Sequence, residues 1–129
     1  MGIVNMLQVK SWAVVGATGN KEKFGYKIFK VMTEAGLEVY PVNRGVEEVL
    51  GKKCYAKLAD LPVVPEAVNI VVPPSVGTKI VRQCAKLGIK KIWLQPGSEN
   101  AELIRLADEL GLEVVCQSCI MIELKKSKG

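Results

Sequence analysis

The chain has 129 residues, 49% apolar and 24% charged, with four cysteines, no histidine and a formal charge of +5. That length and balance describe one ordinary globular domain over residues 1–129 and set aside disordered, collagenous and disulfide-scaffold classes. The missing histidine removes Ser-His-Asp and Cys-His nucleophile pairs, imidazole zinc sites and phosphohistidine intermediates, which leaves carboxylates, lysine and cysteine for any chemistry.

In chain order, Met1 to Lys10 has neither a basic n-region nor a small-residue cleavage site. Gly2 begins a myristoylation-like start, but Met6 stands where Ser or Thr belongs. No window approaches the roughly 20 apolar residues that cross a bilayer. The expectation is a cytoplasmic protein, off the membrane, with reduced thiols.

Trp12 to Val15 reads as a first strand, followed by Gly16-Ala17-Thr18-Gly19 and a helix starting near Phe24 or Gly25. Ile28, Phe29, Met32 and Ala35 recur at helical spacing before Gly36, and Glu38 to Val42 forms the second strand. Gly45 to Pro65 is less regular: Val46 to Leu50 predicts a short helix, and Asp60-Leu61-Pro62 a turn. The third strand, Ala67 to Val72, leads into Pro73-Pro74, an N-cap at Ser75, and a helical face of Val76, Ile80, Val81, Cys84 and Leu87 that ends at Gly88. Ile92 to Gln95 is the fourth strand. After it Ser98 reads as an N-cap, with Glu99 and Glu102 in the first turn of a last helix along Leu103, Ile104, Leu106, Ala107 and Leu110. Glu113 to Cys116 follows Gly111 as the fifth strand, and Lys125, Lys126 and Lys128 read as a solvated tail.

Three times an amphipathic run closes at glycine and a β-branched run follows at once, the helix-to-strand half of a βαβ unit. The strands are short and nearly continuously apolar, as strands covered on both faces are. Together these predict an α/β, Rossmann-like, doubly wound fold with a mainly parallel five-stranded sheet in three α/β/α layers. Trp12 and Trp93 are assigned to its core; a homo-oligomer or an enzyme partner stays open.

Ligands of open parallel sheets sit outside the carboxyl ends of the strands. After the first strand, Gly16-x-x-Gly19 suits a diphosphate held by backbone N–H groups and a helix N-terminus; a tight β–α turn needing glycine for packing explains it equally. Where a NAD-binding unit places an acid, the second strand ends in Asn43-Arg44. An arginine there attracts a ribose phosphate, as in coenzyme A or NADP, or is simply exposed in a turn. Pro73-Pro74 presents an apolar ridge for a pantetheine arm or an adenine edge, or starts a helix. Cys116 and Cys119 have C-x-x-C spacing, but at a strand end and without a second ligand pair, so neither a metal nor a redox site is expected. Glu99 is the one carboxylate near the crevice, and it lacks a partner for acid–base work. The lysines come without interleaved aromatics or a recognition helix, so nucleic acid is not expected as a partner.

The ordered set Trp12-Ala-Val-Val-Gly-Ala-Thr18, Tyr40-Pro-Val-Asn43, Leu58-Ala-Asp-Leu-Pro62, Val71-Val-Pro-Pro74, Ile92-Trp-Leu-Gln-Pro-Gly97 and Cys119-Ile-Met-Ile-Glu123 resembles the small stand-alone CoA-binding domain proteins. These are similar to the CoA-binding domain of the succinyl-CoA synthetase alpha subunit. The resemblance implies a Rossmann-like domain that binds coenzyme A or an acyl-CoA at the carboxyl edge of its sheet. It implies that Gly16, Ala17 and Thr18 contact the phosphates, with Lys23 and Gly25 in the adjoining loop. Asn43 and Arg44 would lie near the adenosine phosphate, Val72, Pro73 and Pro74 would pack on the ligand, and Gln95, Pro96 and Gly97 would line the far end. The larger relatives carry a phosphorylated histidine on a second domain. Without histidine, the resemblance implies a binding module with no catalytic residues of its own. An NADP-binding oxidoreductase subunit is the alternative, weakened by Glu22 at the place of a third glycine.

Overall fold

The computed structural model describes residues 2–128; Met1 and Gly129 lie outside the described residues. Five parallel strands form one sheet: β1 (Ser11–Val15), β2 (Glu38–Val42), β5 (Ala67–Ile70), β6 (Lys91–Leu94) and β7 (Glu113–Val115), in spatial order β2-β1-β5-β6-β7. The register sets Trp12 between Val39 and Ala67, and Val15 between Val42 and Ile70. The strands end one or two residues before the apolar runs do, although the Val71 N–H still donates to the Val15 carbonyl at 2.9 Å and the Gln95 N–H to the Ile70 carbonyl at 3.1 Å.

Alternation along the strands divides the core into two layers. Trp12, Val14, Trp93 and Val115 pack on helices α2 (Phe24–Glu34) and α5 (Ile120–Lys128). Ala13, Val15, Ile70, Ile92 and Leu94 pack on α3 (Pro74–Leu87) and α4 (Ala101–Glu109). The expected three-layer α/β/α fold is therefore present. Gly88 ends α3 at φ 80°, a left-handed position that L side chains avoid, and Gly36 and Gly111 take similar angles after their helices.

Several local expectations differ from the structure. Val46 to Leu50 is not helical: β3 (Glu48–Val49) and β4 (Lys52–Lys53) form an antiparallel hairpin. Its turn places Leu50 at φ 50° and Gly51 at φ 79°, the paired positive angles of a tight hairpin. The period-two reading wins because Val49 is buried against the α2 side of the core, and Lys52 crosses back over the Phe29 ring at 5.6 Å. Asp60 belongs to a 3-10 turn, Leu58–Asp60, anchored by buried Leu58, so the turn begins earlier than expected.

Ser75 does not cap α3; Pro73 is the N-cap and Pro74 the first helical residue, which tolerates a missing N–H. Ser98 does not cap α4. Gly97, at φ 93°, turns the chain so that Ser98 is buried and its N–H donates to the Gln95 carbonyl at 2.8 Å, while Asn100 caps instead, its Oδ1 accepting from the Leu103 N–H at 2.8 Å. Asn100→Ala is expected to cost about 1 kcal/mol. A urea midpoint unchanged from the wild type would remove the cap assignment.

Two short helices, α1 (Ile3–Met6) and α5, are not expected from the sequence. The residues read as a lysine tail continue a helix whose Ile120 and Leu124 are buried. Trp12 and Trp93 are both fully buried, with ring centroids 6.4 Å apart in an edge-to-face pair.

Candidate functional site

From β1 the chain passes through α2 to β2 on one side, and from β5 through α3 to β6 on the other. The connections part between β1 and β5, which opens a crevice at their carboxyl ends. A cavity of about 780 Å³ lies there, lined by Gly16, Thr18, Lys23, Gly25, Asn43, Val72, Pro73, Gln95, Pro96 and Gly97 among the residues expected from sequence.

Gly16 donates its N–H to the Val42 carbonyl at 2.9 Å, and Asn43 donates its side-chain N–H to the Ala17 carbonyl at 2.8 Å, so the ends of β1 and β2 hold each other. Gly16 is at φ 103°, and a Cβ there would meet the Val71 carbonyl oxygen at 3.1 Å. Helix α2 begins directly against this loop. Its N-cap, Lys23, makes no side-chain capping bond, and its first turn holds no acidic residue. The positive end of the helix, with the N–H groups of its first turn, is therefore presented toward the cavity residues Lys23, Phe24 and Gly25.

Three of the expected residues do not line this cavity. Ala17 is fully buried beneath the loop, because its side chain joins the α2 side of the core. Pro74 lines neither cavity at this edge, since it is committed to the start of α3. Arg44 lines a separate cavity of about 260 Å³ on the α3 side, with Lys57, Lys79, Val76 and Ile80. The two cavities share Gly16, Asn43 and Val72, which form the ridge between them. No carboxylate lines the smaller one among the described residues. Val76, expected in the core, is 43% exposed because it faces this cavity.

The large cavity also holds residues that sequence reasoning did not assign to a ligand: Glu22, Phe24, Ile28, Val71, Ser98, Cys119, Met121 and Ile122. Cys119 immediately precedes α5, and Met121 and Ile122 lie in its first turn. Their signal was the pair Ile120 and Leu124 at helical spacing, hidden by the lysines that follow.

Gln95 ties this region together. Its Oε1 accepts from the Asn69 side chain at 3.3 Å and from the Ile120 N–H at 3.0 Å, while its Nε2 donates to the Cys119 Sγ at 3.3 Å. Glu99 is not in the first turn of α4. Its carboxylate accepts the Gln117 N–H at 2.8 Å and pins the β7–α5 loop, where Gln117 takes φ 63°.

The cysteines are all free thiols. Burial pushes the Cys84 thiol up to about 12, burial raises Cys54, and burial with nearby Glu99 raises Cys116, so these three are poor nucleophiles. No cluster of three His, Cys, Asp or Glu side chains able to hold a metal exists among the described residues. Among them, too, no helix is long and apolar enough to cross a membrane.

Residues 10–125 match the family described as CoA binding domain. The chain belongs to the CoA-binding domain family. It is 31% identical over 121 residues to the Pyrococcus furiosus acetate–CoA ligase (ADP-forming) II subunit alpha, covering 85% of this chain and 26% of that protein. It therefore spans about a quarter of that relative's length. The Bacillus subtilis protein YneT is 26% identical over 113 residues, with 88% of this chain and 84% of that protein covered. Among solved structures, a hypothetical protein from Pyrococcus horikoshii OT3 superposes with TM-score 0.90 at 38% identity, covering 96% of this chain and 87% of the other. A dinucleotide-forming acetyl-coenzyme A synthetase from Ca. Korarchaeum cryptofilum superposes with TM-score 0.75 at 28% identity, over 87% of this chain and 27% of that one. Family members thus occur both as short chains and as one part of acyl-CoA ligases.

Proposed function

We propose that this protein binds coenzyme A or an acyl-CoA across the carboxyl edge of its sheet and contributes no catalytic residues of its own. The supporting observation is the pair of unlike cavities on either side of the Gly16–Asn43–Val72 ridge. Coenzyme A has the same division: an apolar-to-amide pantetheine arm at one end, a phosphorylated ribose at the other, and a diphosphate between them. The diphosphate lies over Gly16 to Thr18 at the N-terminus of α2, where backbone N–H groups and the helix dipole stabilise its charge. Its ribose phosphate is met by Arg44, Lys57 and Lys79, which face no competing carboxylate in that cavity. The pantetheine arm passes Val72 and Pro73 into the large cavity, toward Gln95 and Pro96.

Calorimetry with coenzyme A and dephospho-CoA tests this reading. A charge-assisted contact contributes about 1.5–3 kcal/mol, so dephospho-CoA is expected to bind about tenfold or more weakly. Arg44→Gln should bring the two ligands closer together by weakening coenzyme A alone. Silence with both ligands at millimolar concentration defeats the proposal. Equal affinities remove the ribose phosphate from the cationic cavity. NADPH, which also carries a ribose phosphate, tests the dinucleotide alternative: affinity equal to that of coenzyme A would favour it over the coenzyme A reading.

A further inference from the structure

We infer that the ligand is an acyl-CoA with a medium-length apolar chain, and that the chain lies in the groove between α2 and α5; this rests on the coenzyme A reading above. The carrying observation is continuity. The large cavity reaches Ile28 of α2 and Met121 and Ile122 of α5. A second hollow of about 380 Å³ begins on the same Met121 and Ile122 and continues along Val31 and Ala35 to Lys125.

Ile28, Val31 and Ala35 follow one another at three- and four-residue spacing, so they form a single stripe on α2, about 10 Å long at the helical rise. The stripe starts near the helix end at the crevice and leads away from the carboxyl edge. Apart from Lys125 at its far end, the groove is lined by apolar side chains. Ile122 is 55% exposed and Phe24 65% exposed, although each contributes to the large cavity. Large apolar side chains gathered in water at a cavity are an informative exception to burial. The free thiol of coenzyme A would end within the large cavity and leave this surface wet. An acyl chain on that thiol would cover it.

Calorimetry with coenzyme A and with acetyl-, butanoyl- and octanoyl-CoA on the full chain, stripped of co-purified ligand, reads the inference directly. A fully buried methylene tightens binding about fourfold; the groove is open along one side, so about twofold per methylene is expected, or roughly sixtyfold over the six methylenes from acetyl to octanoyl. Ala35→Phe fills the groove and should abolish that gain while leaving the affinity for coenzyme A within about twofold. Val31→Thr, which keeps the side-chain shape and replaces one methyl with a hydroxyl, should reduce the gain in the same direction.

A flat acyl series in a protein that binds coenzyme A overturns the inference and leaves the function intact. Loss of coenzyme A binding by the wild type overturns the function beneath it. A dimer in sedimentation that Ala35→Phe dissociates, together with a flat series, would give the groove to a second copy of the chain and likewise overturn the inference.

Discussion

Gly25→Ala is expected to destabilise the protein by about 3 kcal/mol or more and to lower its melting temperature by roughly 10 °C. A Cβ at this position would stand 2.0 Å from the Gly16 carbonyl oxygen and 2.9 Å from its carbonyl carbon. Both are backbone atoms, so no side-chain rotation relieves the overlap. Either α2 moves off the loop or the loop opens, and both changes separate the helix N-terminus from Gly16. The same substitution should therefore weaken coenzyme A binding about tenfold or more at a temperature where the variant is still folded. Gly19→Ala is the control: a Cβ there meets nothing within 4 Å, so its stability should stay within about 0.5 kcal/mol of the wild type. Thermal unfolding followed by circular dichroism checks both variants. A Gly25→Ala protein as stable as Gly19→Ala would show that the helix does not approach the loop this closely.

Trp93→Ala is expected to cost about 3–5 kcal/mol, which for a domain of ordinary stability leaves little folded margin. The side chain is fully buried on β6, packs edge-to-face with Trp12, and donates its Nε1–H to the Ser118 carbonyl at 2.8 Å. That bond ties the central sheet to the loop carrying Cys119. Trp93→Phe separates the two roles. It keeps an aromatic ring in the core but leaves the Ser118 carbonyl without this donor, at a cost of about 1–3 kcal/mol. The loop should loosen, so Cys119 should react faster with a disulfide reagent in Trp93→Phe than in the wild type. Urea midpoints at constant m-value measure the stability change. If Trp93→Phe matched the wild type in both stability and thiol reactivity, the bond to Ser118 would have no part in holding the loop.

The elements read best from sequence were those with a long repeated signal. Ile28, Phe29 and Met32 at helical spacing, followed by Gly36 and a β-branched run, specify a helix and the next strand with little help from distant residues. Val46 to Leu50 was misread because five residues cannot distinguish the two periods. Only burial of Val49 against α2 decides for a hairpin. The same limit applies to caps. Ser98 and Asn100 are both good capping residues, and the choice fell to Asn100 because Gly97 turns Ser98 inward. Helix α5 was hidden by composition: Ile120 and Leu124 mark its buried side, but three lysines in its last turn resemble a solvated tail.

At the site, glycines after β1 and small residues after each strand were legible because turn chemistry is local. The division of those residues between two cavities was not. Arg44 follows Asn43 directly, yet Asn43 sits on the ridge and Arg44 lines only the smaller cavity. Phe24, Met121 and Ile122 have no mark of a ligand site in sequence, since an apolar residue on a helix is usually core.

By itself, the sequence determined the α/β class, the five sheet strands in their order along the chain, the family, and the glycine-rich turn beneath the crevice. These follow from short-range periodicity, turn conformation and an ordered set of motifs. Only the tertiary structure decided that the crevice has an apolar side and a cationic side, and that α5 closes the apolar one. The physical reason is the sheet itself. Helices on its opposite faces bring residues distant in sequence to the same edge, and which face a strand-end residue serves depends on where the chain crosses, not on its neighbours.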